Sequence, residues 1–194
     1  MRFEQLAIQG AARVRIDAHA DERGYFARLF CEREFAQQGI SLDVVQASMS
    51  FNARAGTVRG LHFQWPPSCE GKLVRCLRGQ LLDVLLDLRP GSSSYLQHLA
   101  LPLDADGRDG LYVPSGVAHG FQTLVDATEV LYMMSDYYAP HLQAGVRWND
   151  PVFAIEWPLA VAVINARDRE LPLFDQAGFE RELHRRATSD RGPR

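Results

Sequence analysis

Apolar and polar positions along this chain change over in short stretches, and few of them hold a helical period for long. DVVQASMSFN, GTVRGLHFQ, KLVRCLRG, QLLDVLLDL, YLQHLALPL, GLYVPSG, HGFQTLV and EVLYMMSDYY are brief, β-rich runs punctuated by Gly, Pro, Asp and Ser. Many short strands at regular spacing predict an all-β barrel or sandwich. FEQLAIQG alternates weakly and predicts a further strand, and DERGYFARLF carries a turn at residues 21–24 followed by an apolar-rich strand. CEREFAQQG reads as a short helix stopped by Gly39, FDQAGFERELHRRA as a second helix, and TSDRGPR as a flexible tail over residues 188–194. No internal repeat and no linker divides the chain, so one domain is expected over residues 1–194.

The run QLLDVLLDL departs from simple alternation. Leu82, Val84, Leu86 and Leu88 fall on one face, and Leu81, Asp83, Leu85 and Asp87 on the other. Carboxylates among leucines predict a polar spot on an otherwise apolar face, with the competing reading, at least as strong for Asp87, that both face solvent.

Composition narrows the class without naming a function. At 194 residues, 46% hydrophobic and 23% charged, the chain is ordinary for a globular domain. A formal charge of −3 implies no general affinity for nucleic acid. No apolar run is long enough to cross a membrane, and MRFEQLAIQG lacks the apolar stretch of a signal peptide. The three cysteines, Cys31, Cys69 and Cys76, match no zinc spacing and are expected to be reduced thiols in a cytoplasmic protein.

Several residues could carry chemistry. His62 sits in TVRGLHFQ with Arg59 three positions before it and Lys72 opening the next strand. Strict alternation puts Arg59 and His62 on opposite faces; both can line one site only if the strand bulges, and Gly60 is where a bulge could sit. His119, in VPSGVAHGF, follows a tight turn and would be delivered at the start of a strand, or would simply bond its own turn. Tyr132 and Tyr138 are either aromatic core or general acids, since a phenol keeps its proton at neutral pH. Asp168 alone is a surface carboxylate, of interest only if it pairs with His62.

Taken together, DERGYF, RGLHFQ, KLVRCLRGQLLDVLLDLR, VPSGVAHGF, LYMMSDYYAP, GVRWNDPVFAIEWP and the late ARD resemble the dTDP-4-dehydrorhamnose 3,5-epimerases of the cupin superfamily, in that family's order over residues 21–173. The resemblance implies a cupin jelly-roll barrel with short peripheral helices. It implies a homodimer with exchanged N-terminal segments and a dTDP-4-keto-6-deoxyhexose substrate epimerised at C3 and C5. No metal, nicotinamide or flavin is implied. Carried over residue by residue, His62 is the base and Asp168 its partner, Lys72 stabilises the enolate oxygen, and Tyr132 is the acid on the opposite face. Gln46, Arg59, His119 and Tyr138 become substrate contacts, and Arg23 and Phe26 reach the neighbouring subunit's nucleotide site.

Three positions depart from the family pattern: Ser48 stands where many members have Asn, Arg28 where many have a carboxylate, and Asn165 where many have Ser. They leave the catalytic set intact and leave open the exact sugar, the nucleotide and whether both carbons are inverted. The alternatives are an epimerase acting at C3 or C5 only, a sugar-binding module with a dead site, and a metal-binding cupin oxygenase or isomerase. The metal reading would need His62, Gln64, Glu70 and His119 as ligands, and both the glutamine and the nearby Lys72 suit a divalent metal poorly.

Overall fold

The computed structural model describes residues 1–189, and within them strands dominate. Four short strands come first: β1 (Arg2–Gln5), β2 (Ala12–Arg15), β3 (Ala18–Asp21) and β4 (Gly24–Ala27). After α1 (Glu32–Ala36) come β5 (Gln46–Asn52), β6 (Val58–Gln64), β7 (Lys72–Arg78) and β8 (Gln80–Asp87). The chain continues through β9 (His98–Asp104), β10 (Gly110–Val113), β11 (Val117–Thr123), β12 (Thr128–Met134) and β13 (Gln143–Gly145), and ends in α2 (Ala166–Arg169) and α3 (Gln176–Ser189). A six-stranded sheet runs β1-β2-β10-β7-β12-β5 and a five-stranded sheet β13-β6-β11-β8-β9. Neighbours in both are antiparallel, and β3 and β4 form a separate hairpin.

The two large sheets face each other across one apolar core, the jelly-roll arrangement expected from the sequence. Val74, Cys76, Leu111 and Val130 from the first sheet meet Leu81, Leu85, Leu103 and Phe121 from the second. Parts of the outer faces are covered as well. Val84, Leu86, Leu61 and Phe63 lie under residues of the 146–179 segment, including Val146, Phe153 and Phe174. Leu73, Val14 and Tyr112 pack against Phe35 of α1. Strands buried on both faces read as near-continuous apolar runs, and this is why QLLDVLLDL carries leucine on both sides.

Both of its aspartates are fully buried, so the solvent-facing reading of Asp87 is wrong. Asp87 accepts hydrogen bonds from Arg89 Nε (2.8 Å), Arg89 Nη2 (2.8 Å), Ser92 and Ser94 Oγ (2.6 Å). Burial would raise its carboxyl, but the bonds from Arg89, Ser92 and Ser94 hold it below the usual carboxylate range. Arg89 also reaches the Gln9 carbonyl at 2.7 Å, so the buried carboxylate ties the β1–β2 turn to the loop after β8.

Other expectations need adjusting at their edges. The FEQLAIQG strand ends at Gln5, where the chain turns to form β2. The strand after the 21–24 turn is present as β4, but its side chains are largely exposed, Phe26 by 78%. Gly39, at φ +73°, stops α1 as expected. Of the tail expected over residues 188–194, Thr188 and Ser189 belong to α3 and the rest lie outside the described residues.

Candidate active site

One end of the barrel interior is polar. Period-two spacing puts Gln46, Ser48, Ser50 and Asn52 of β5 on one face, and the inward faces of β7, β11 and β12 bring Lys72, His119 and Tyr132 towards them. Of these, Ser48, Ser50, Lys72, His119 and Tyr132 surround a cavity of about 310 Å³ that is also lined by Arg59, His62, Glu70, Asn165 and Asp168. That volume is at the small end for a bound organic ligand.

Arg59 and His62 share the cavity because β6 bulges. His62 lies opposite His119, and Arg59 opposite Phe121, so the register between β6 and β11 shifts between these pairs. Gly60 sits at the shift with φ +113°, and a Cβ there would lie 2.6 Å from the Gly120 Cα. No other residue type fits without strain. Gly60→Ala is therefore expected to destabilise the fold by about 2–5 kcal/mol, read as a lowered midpoint in denaturant unfolding.

The bulge also serves the carboxylate. The Gly60 N–H donates to Asp168 Oδ2 at 3.0 Å, while Asp168 Oδ1 lies 2.7 Å from His62 Nε2. Asp168 is 1% exposed and His62 29%, so the pair runs from the protein interior to the cavity wall. Burial raises the Asp168 carboxyl, but the hydrogen bond and charge of His62, with the Gly60 N–H, hold it below its ordinary value. The short helix α2 places this carboxylate, and its N-cap Asn165 accepts the Asp168 backbone N–H at 2.7 Å. Since a carboxylate only accepts, His62 Nε2 carries the proton and Nδ1 is left with the lone pair.

The remaining groups are also paired. Lys72 Nζ sits 3.0 Å from Glu70 Oε2. His119 Nε2 is 3.1 Å from Oδ2 of Asp83, the buried polar spot of β8. Tyr132 reaches Ser50 Oγ at 3.3 Å, and burial, its main cause, pushes the phenol up to about 12. Arg59 Nε donates to Asn52 Oδ1 at 2.8 Å.

The cavity thus brings together His62, Asp168, Lys72, Tyr132, Arg59 and His119, all named from sequence. Gln46 and Tyr138 stand outside its lining, where the Tyr138 N–H donates to Gln46 Oε1 at 2.7 Å and Tyr138 itself is half exposed. Arg23 and Phe26 lie on the exposed β3–β4 hairpin, Arg23 ion-paired to Asp21 of its own turn. Sequence reasoning missed Asp83 as the partner of His119, Glu70 as the partner of Lys72, and the roles of Ser50 and Asn52. The period-two face of β5 would have pointed to the last two. Among the described residues no three His, Cys, Asp or Glu side chains converge as metal ligands. Gln64 is instead held by the Ala139 N–H, at 2.8 Å, and by Ser68.

Comparison with known proteins places the chain in a family. The family model described as dTDP-4-dehydrorhamnose 3,5-epimerase matches residues 5–176. The chain belongs to this family. A dTDP-4-dehydrorhamnose 3,5-epimerase of Sinorhizobium fredii is 39% identical over 173 residues, 89% of either chain. The crystal structure of the Bacillus anthracis dTDP-4-dehydrorhamnose 3,5-epimerase, with TDP and PPi bound, superposes with a TM-score of 0.86 at 36% identity. That match covers 89% of this chain and 99% of the other. A dTDP-4-dehydrorhamnose 3-epimerase of Streptomyces niveus is 35% identical over 91% of this chain and 86% of its own. The epimerase is thus an isomerase on a cupin-like barrel. No helix among its described residues is long and apolar enough to cross a membrane.

Proposed function

We propose that this epimerase inverts C3 and C5 of a dTDP-linked 4-keto-6-deoxyhexose through an enolate, with the residues at the barrel mouth in the following roles. A ketone at C4 acidifies the protons on both neighbouring carbons, so the reaction needs a base, an acid on the opposite face and a cation near the ketone oxygen. His62 Nδ1 removes the proton, and Asp168 fixes the tautomer and stabilises the imidazolium that forms. Lys72 meets the enolate oxygen. Tyr132 supplies a proton from the other side, and Arg59, Gln46, His119 and Tyr138 hold the sugar diphosphate and its nucleotide. The observation that carries this reading is the His62–Asp168 pair, 2.7 Å apart, in one cavity with Lys72 and Tyr132.

The test is position-resolved NMR of the purified protein with dTDP-4-dehydro-6-deoxyglucose in deuterated water. Deuterium is expected at both C3 and C5, with inverted product. The likeness to the Streptomyces niveus 3-epimerase gives a second reading weight, and label at C3 alone would select it. No exchange at either carbon would remove the enzyme proposed here.

Lys72→Ala is expected to lower kcat by ~10²–10³-fold with little change in KM, because the charge on the ketone oxygen develops only as the enolate forms. Steady-state kinetics against the same substrate separates this from a simple binding defect.

We further infer a homodimer. The strand β5 is an edge of its sheet and exposes Met49 and Phe51, with Leu77 also exposed on the same sheet. Such an edge invites pairing with another chain. The exposed Tyr25 and Phe26 lie on the β3–β4 hairpin, which pairs with neither large sheet, and the exchange of this segment would carry Arg23 and Phe26 to the neighbouring subunit's nucleotide site. Light scattering should give twice the 21.8 kDa chain mass, and a fully active monomer would end this inference. The three free cysteines fit the reducing environment of the cytoplasm.

A further inference from the structure

We propose that Ser50 and Asn52 are positioning residues that link the Arg59 guanidinium to the Tyr132 hydroxyl and stabilise the phenolate left when Tyr132 gives its proton to carbon. This rests on the reading of Tyr132 as the acid.

The links are continuous. Arg59 Nε donates to Asn52 Oδ1 at 2.8 Å, Asn52 Nδ2 donates to Ser50 Oγ at 3.4 Å, and Ser50 Oγ lies 3.3 Å from the Tyr132 oxygen. Asn52 is 2% exposed and its amide has one possible orientation. A guanidinium only donates, so Oδ1 must face Arg59; the Thr128 carbonyl, 3.1 Å away, only accepts, so Nδ2 must face it. The amide N–H that also meets Ser50 is therefore fixed from two sides. Ser50 Oγ accepts that N–H on one lone pair, which leaves its own O–H free to turn towards Tyr132.

The chemistry calls for such help. When Tyr132 passes one proton to the enolate carbon, a new C–H bond forms and a phenolate remains in a buried wall of the cavity. Burial and the charge of Asp83 both disfavour that anion. The Ser50 hydrogen bond and the positive charge of Arg59 are the influences that favour it. No proton needs to cross the relay: Ser50 turns its O–H onto the phenolate oxygen, and the Asn52 dipole and the Arg59 charge polarise that bond. After each inversion solvent water returns one proton to Tyr132 while His62 gives one up to solvent, so the pair is reset before the next carbon reacts. Cooperative strengthening along such a chain is expected in a low-dielectric site.

The experiment measures two rates in deuterated water on the same substrate: hydrogen exchange at the reacting carbon and net inversion. His62 alone can exchange the proton by returning a deuteron to the face it came from, whereas inversion needs the acid. Ser50→Ala is expected to slow inversion roughly 10–100-fold while exchange stays within a few-fold, as befits a lost hydrogen bond to a charged group. Ser50→Thr, which keeps the hydroxyl, should restore inversion. In a Tyr132→Phe background, Ser50→Ala should add nothing, because the two residues act through one group. The relay is overturned if Ser50→Ala inverts at the parent rate, if it lowers exchange and inversion equally, or if its effect persists undiminished in Tyr132→Phe. Tyr132→Phe with full inversion overturns instead the reading of Tyr132 itself, and the two failures are told apart in the same assay.

Discussion

Replacing His62 with alanine is expected to lower kcat/KM by ~10²–10⁴-fold, the usual contribution of a positioned base, and to abolish exchange at both carbons. The geometry makes the result specific. His62 is the one imidazole of the cavity that joins a carboxylate itself tied to the bulge, Asp168, with Oδ1 at 2.7 Å from the ring and Oδ2 receiving the Gly60 N–H at 3.0 Å. The same arrangement predicts a comparable loss in Asp168→Asn. The amide oxygen of that variant must face the Gly60 N–H, which only donates, so its NH₂ group faces His62 Nε2. That nitrogen must then accept, the ring proton moves to Nδ1, and the lone pair is lost where substrate would meet it. His62→Ala and Asp168→Asn should therefore both lose exchange and inversion together, while binding of a dTDP product analogue, measured by calorimetry, changes little. Near-normal exchange in His62→Ala would move the base to another residue, and His119, backed by Asp83 at 3.1 Å, would be the first to test.

The sequence was legible where a strand is long or a residue type is forced. The strands β7, β8 and β11 each span seven or eight residues and bury apolar groups on both faces, which leaves dense Leu, Val and Phe runs that no surface segment would carry. The bulge in β6 was legible because alternation sets Arg59 and His62 apart and Gly60 is the one residue between them that tolerates φ +113°. Illegible elements are the short ones: β2 has four residues, α2 four and β13 three, too few for any period to declare itself. Asp87 was misjudged because what makes its burial tolerable, Arg89, Ser92 and Ser94, lies in the following loop rather than in the strand pattern. The His62–Asp168 pair spans 106 positions, so spacing could not reveal it, and only the ordered resemblance to a family brought the two together. Arg23 and Phe26 lie outside the lining of the cavity, and their place at a neighbouring subunit's site rests on the family resemblance alone.

Tyr132→Phe should divide the reaction into its two halves. The phenol stands on the β12 wall of the cavity, and His62 on the β6 wall of the opposite sheet, so a planar enolate between them can receive a proton from either side. Removing the hydroxyl leaves the ring, its packing beside His119 (centroids 6.3 Å apart) and the shape of the pocket. It takes away the proton that must arrive on the face away from His62. Net inversion is expected to fall ~10²–10⁴-fold, in line with the loss of a general acid, while deuterium continues to enter at the carbon from the His62 side. Burial holds the phenol at about 12, so Tyr132 stays protonated and ready to donate at neutral and mildly alkaline pH, and inversion should show no loss on the alkaline side attributable to its ionisation below pH 10 or so. A uniform fall in exchange and inversion would instead mark Tyr132 as a packing residue. Inversion at the parent rate would require a different donor on that wall, and the Lys72 ammonium and the weaker hydroxyls of Ser48 and Ser50, which line the cavity from the same sheet, would be the ones to test.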